Sequence, residues 1–210
     1  MIELIPQRVE LFHPLLVHFP IALLLAGALA RLILFFCEIS KLKSTWLQKL
    51  TSHVRSIFFW SWILGCVGLV AAYLSGDSAE GVINKIICDP TVTHEHEDFA
   101  VFTLIAAGTT LVTGLARWLL STKLREKIEH AVLHFPKRLA FFTRLILAIE
   151  LLALAATVSL LTWTAHLGGT LVYEQGAGYL RTPNEQCEGE FGSMLDGDES
   201  NDAEANENRL

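Results

Sequence analysis

Four stretches of the chain are apolar on every face rather than on one. They run from about Pro14 to Cys37, from Ile57 to Gly76, from Phe99 to Leu120 and from about Leu139 to His166. A helix rises about 1.5 Å per residue, so roughly 20 residues cross the hydrocarbon core of a bilayer. Each stretch is long enough. Backbone polar groups in lipid must be satisfied within the segment, which makes helix the expected state of all four. A long buried core helix would account for one such stretch but not for four in series. The pattern predicts an all-α, integral membrane four-helix bundle over residues 1–180, followed by a polar, acidic and disordered tail over 181–210.

Composition agrees with the pattern. The 210 residues are 52% hydrophobic and only 18% charged, too apolar for an ordinary soluble domain. The net charge of −6 is an average over unlike regions, and no basic nucleic-acid footprint is present. The leader MIELIPQRVE is mixed in charge and the apolar run behind it has the length of a span. The first segment is therefore expected to stay as a helix rather than to be removed as a signal peptide.

Lysine and arginine set the expected orientation. Lys41, Lys43, Lys49 and Arg55 lie between spans one and two; Lys123, Arg125, Lys127, Lys137, Arg138 and Arg144 lie between spans three and four. Arg31 and Arg117 sit near the same ends of their helices and can snorkel there. That side holds twelve of the sixteen basic residues. By the positive-inside rule it is cytoplasmic. Both termini and the Asp77–Asp98 loop are then expected on the periplasmic side of a bacterial inner membrane.

The histidines give this frame a chemistry. His13 and His18 open span one in HPLLVHFP, His94 and His96 directly precede span three in THEHED, and His166 closes span four. Five of the eight histidines thus converge on the outer end, from three helices. His53, His130 and His134 lie among basic residues on the other side and are given no role. Pro14 suits a first helical turn, and Pro20 is expected to kink the helix or open its first turns. His18 lies about 6 Å deeper than Pro14, and His166 lies about 33 Å along its helix from Arg144, which puts the two at similar heights. A lone imidazole at a membrane interface needs no function. Three from separate helix ends, His18, His96 and His166, point to a shared site.

Imidazole ligates metals and haem iron, and helical bundles build cofactor sites from facing helices. Two of these histidines can flank a haem. Three, helped by Glu95, Glu97 or Asp98, can hold a Zn, Fe or Cu ion. His94 and His96 are two residues apart, so they point to different sides of a helix. Gly76-Asp77 reads as the stop of the second helix, with Asp77 placed to orient an imidazole N–H. Gly168 and Gly169 remove side chains beside His166, so a flat cofactor or another backbone can approach.

HPLLVHFPIALL, AAYLSGDSAE, HEDFA and HLGGTLVYEQGAG together resemble a bacterial family of small four-span membrane proteins known as a domain of unknown function. The resemblance covers about Leu11 to Gly178, and its HPxxVHFP opening and HxGGxLVYExGxG ending are specific. The matching positions are His13, His18, Asp77, His96, His166, Gly168, Gly169, Tyr173, Glu174 and Gly176. The resemblance implies a four-helix membrane domain, sometimes beside or fused to c-type cytochromes, and through them a redox, haem-linked role. This chain has no CxxCH for covalent haem. Any haem is then expected to be haem b, with His18 and His166 as the axial pair and His96 in reserve. A c-type cytochrome would be a separate partner.

Glu150 is a second anomaly, an acid within the hydrocarbon region of span four. It is expected to pair with an arginine of another helix or to carry protons. Cys88 and Cys187 share an oxidising compartment, where a disulfide is permitted. The acidic tail lacks the full calcium-loop pattern, and no catalytic motif is present, so no residue is assigned catalysis. Three readings follow: a haem b electron-transfer protein at the periplasmic face, a metal-binding membrane protein, and a cofactor-free structural or assembly subunit. The expected partners are the lipid bilayer, quinone and a periplasmic c-type cytochrome. Self-association into a homo-oligomer is left open, and nucleic acid is excluded.

Overall fold

The computed structural model describes residues 12–40, 45–85, 87, 89–121 and 136–177. These residues form four helices and no strand: α1 Phe12–Ser40, α2 Thr45–Ile83, α3 Thr91–Ser121 and α4 Pro136–Tyr173. All four are long and apolar enough to cross a membrane. The acidic tail, Cys88, Cys187, His130 and His134 lie outside the described residues.

The helices outrun the apolar stretches that predicted them. α2 has 39 residues, about 58 Å of helix, nearly twice the hydrocarbon thickness. Gly76-Asp77 does not stop it, because glycine is permitted in a helix and no proline follows before Pro90. His94 and His96 therefore lie inside α3, not ahead of it, and His166 lies two turns before the end of α4. The Asp77–Asp98 loop shortens to a connection between Ile83 and Thr91, where Asp89 Oδ1 accepts bonds from Thr91 N at 3.0 Å and Thr91 Oγ1 at 2.6 Å. Helix longer than the hydrocarbon core is tolerated where headgroups and water can meet its polar side chains.

The bundle is two antiparallel hairpins, α1/α2 and α3/α4, with far thinner contact between them. Close approach within the first hairpin depends on glycine. A Cβ at Gly65 would meet Leu24 at 2.8 Å, one at Gly27 would meet Trp62 at 2.8 Å, and one at Gly68 would meet the Pro20 ring at 3.1 Å. Small residues serve this role in membranes, where packing rather than water expulsion holds helices together. α1 runs unbroken through Pro20, whose ring is buried. Trp62 joins the hairpins: it is fully buried, and its Nε1 donates to the Ala107 carbonyl at 2.9 Å. Around it lie Leu24, Phe58, Leu154 and Leu161.

The outside of the bundle is apolar. Phe19, Leu29, Phe36, Trp60, Val67, Phe102 and Leu152 are exposed on four different helices. A belt of this kind belongs in contact with lipid.

Candidate functional site

At the end where α1 begins, the two hairpins meet through a pair of imidazoles. His13 of α1 and His96 of α3 have ring centroids 6.1 Å apart and planes at 89°. His13 Nδ1 lies 2.9 Å from the Ala72 carbonyl and 3.0 Å from Ser75 Oγ. His96 Nδ1 lies 2.9 Å from the Thr164 carbonyl. A carbonyl only accepts, so Nδ1 carries the proton in both rings. The neutral ring then presents a free lone pair at Nε2. No hydrogen bond among the described residues engages either Nε2.

Each ring rests on a glycine of the neighbouring helix in its own hairpin. A Cβ at Gly76 would stand 3.1 Å from His13 Cε1, and one at Gly168 would stand 3.2 Å from His96 Cε1. These glycines let the imidazoles lie against backbone and reach the carbonyls that orient them. Thr103 Oγ1, 3.3 Å from Thr164 Oγ1, continues the polar contact of α3 with α4.

The other histidines expected at the site point elsewhere. His18 is exposed, and its Nδ1 bonds to the Pro14 carbonyl of its own helix. His166 is exposed, with its ring 5.5 Å from that of Trp163. No hydrogen bond or ring contact among the described residues joins His18, His96 and His166 to one another. Asp77 is exposed, and the place beside His13 belongs to Ala72, Ser75 and Gly76. Gly169 has open space around it, so of the two glycines only Gly168 touches the pair. His94 faces away from His96 and towards Glu80 of α2, at 3.4 Å. The carbonyls of Ala72 and Thr164 carry no sequence signal, since any residue supplies one.

Glu150 belongs to a separate cluster, about 24 Å of helix from His166. Its Oε1 accepts from Arg31 Nε at 2.6 Å, and its Oε2 lies 2.7 Å from Arg117 Nε. Arg117 also reaches Glu38 at 3.0 Å. The interhelical arginine partner expected for Glu150 is present, and Arg117 and Glu38 complete a group of two cations and two anions from α1, α3 and α4. An acid and a base in lipid neutralise one another best when each meets the other's charge directly.

A family model described as "Predicted membrane protein (DUF2231)" matches residues 11–181. No curated protein and no solved structure matches the chain.

Proposed function

Because the chain belongs to the membrane protein family DUF2231, we propose that it is a membrane-embedded redox protein that binds haem b through His13 and His96. The observation that carries this reading is the imidazole pair itself. His13 and His96 bring their ring centroids to 6.1 Å from one another, near enough for two imidazoles to serve one metal centre. Each ring also donates its Nδ1–H to a carbonyl, the arrangement that fixes tautomer and orientation in metal-ligating histidines. His13 and His96, one from each hairpin, are the residues that would hold the haem iron. The haem would supply one-electron transfer. Ala72 and Thr164 hold the ligands, and the hairpin seam offers the place where helix contact is thinnest. The Lys and Arg distribution supports an inner-membrane location with this end periplasmic. Quinone and a c-type cytochrome are the electron partners of the proposal.

A second reading is a bare Fe, Zn or Cu ion on the same pair. The close seat of each ring on Gly76 and Gly168 favours it, since a single ion needs less room than a macrocycle. The test is the absorption spectrum of the detergent-solubilised protein, with metal analysis alongside. A low-spin Soret band that His13→Ala or His96→Ala abolishes or turns high-spin, and that His18→Ala leaves unchanged, supports haem. Stoichiometric metal without a Soret band, lost in His13→Ala/His96→Ala and kept in His94→Ala, transfers the site to the bare ion. Protein with neither supports the structural or assembly subunit, and both the haem and the bare-ion readings fall.

A further inference from the structure

We propose that Glu80, His94 and Glu97 form a divalent transition-metal site on the bundle end that carries His13 and His96, separate from that pair. The three side chains come from two helices, Glu80 from α2 and the other two from α3. One ligand atom of each lies within 4.8 Å of the others. His94 and Glu97 are three residues apart, the spacing by which helical bundles place a histidine and a carboxylate on one face. His94 Nδ1 and Glu80 Oε1 are already 3.4 Å apart. Two ligands held about 2.1 Å from one ion at a tetrahedral angle stand about 3.4 Å apart.

Each carboxylate has a neutral donor behind it. Tyr73 OH donates to Glu97 Oε1 at 3.0 Å, and Asn84 Nδ2 donates to Glu80 Oε1 at 3.1 Å. Such donors orient a ligating carboxylate without cancelling its charge. No lysine or arginine among the described residues pairs with Glu80 or Glu97. Two carboxylates and an imidazole nitrogen therefore converge with no lysine or arginine paired to them among the described residues. A zinc, iron(II) or manganese(II) ion answers that arrangement, because imidazole with carboxylate suits a borderline divalent ion and three protein ligands leave positions for water. The ion would bind α2 to α3, which belong to different hairpins, and so close the seam at this end.

The test is calorimetric titration of the full-length, detergent-solubilised protein with Zn²⁺ alone. Comparison is with His94→Ala, Glu80→Gln/Glu97→Gln, Tyr73→Phe and His13→Ala/His96→Ala. The site predicts at least tenfold weaker binding in the first two, about tenfold weaker in Tyr73→Phe, and an intact event in the last. His94 is 64% exposed, so its removal leaves the packing in place and decides the matter even if the double variant does not fold. Unchanged affinity in His94→Ala overturns the proposal. So does loss of the event in His13→Ala/His96→Ala with retention in His94→Ala, which would assign the ion to the imidazole pair.

Discussion

Arg31 Nε lies 2.6 Å from Glu150 Oε1, and neither side chain exposes any surface. The pair joins α1 to α4, which otherwise touch little. Its asymmetry yields a prediction. Arg31→Met leaves Glu150 with Arg117, whereas Glu150→Leu leaves two guanidiniums near Glu38 alone. Breaking a buried pair from one side costs about 3–5 kcal/mol. Glu150→Leu should fall in that range and Arg31→Met below it. Arg31→Met/Glu150→Leu, which leaves Arg117 with Glu38, should be more stable than Glu150→Leu. Thermal unfolding in detergent gives the order, and a double variant weaker than both singles would contradict it.

The first hairpin depends on glycine at particular places. At Gly68 a methyl group would press on the rigid Pro20 ring at 3.1 Å, whereas Gly108 has no atom within 4 Å. Gly68→Ala should destabilise by about 1–3 kcal/mol, as overpacking does. Gly108→Ala should be neutral or stabilising by up to about 1 kcal/mol, because alanine is the better helix former. Equal midpoints for the two variants would refute the packing argument.

Asp89 tethers the start of α3 from outside the membrane-spanning segments. Its two bonds from Thr91 hold its carboxyl below the usual carboxylate range. The sign follows directly: the folded-state value is depressed, so the stabilisation is full above about pH 4 and is lost as pH falls through the folded value. Asp89 is only partly buried, so water screens it and the effect should stay below about 1 kcal/mol. Asp89→Ala should lower stability slightly at neutral pH and have no further effect at acid pH. A difference that grows on acidification would reverse the assignment.

Orientation is open to a direct measurement. The excess of Lys and Arg between spans one and two and between spans three and four predicts that a reporter fused at Lys49 reports cytoplasm and one at Arg209 reports periplasm. A cytoplasmic signal from Arg209 would invert the topology and move the His13–His96 pair to the cytoplasmic face.

Four spans, helix as their only state, and a lipid-facing exterior were legible in the sequence, because segment length and apolarity are local quantities that the bilayer reads directly. So was the need of Glu150 for an arginine, since an acid in hydrocarbon must find a cation. The opposite facing of His94 and His96 followed from helical periodicity alone. Depth along a helix, however, does not say which way a side chain points. His18 and His166 were matched by height and turn outwards; His13 and His96 face each other. The difference rests on rotation about each helix axis. Gly76 beside His13 and Gly168 beside His96 fix that rotation, as do the carbonyls that the imidazoles reach across each hairpin. The triad of Glu80, His94 and Glu97 needed α2 to run past Gly76. Only packing between helices distant in sequence could decide these points.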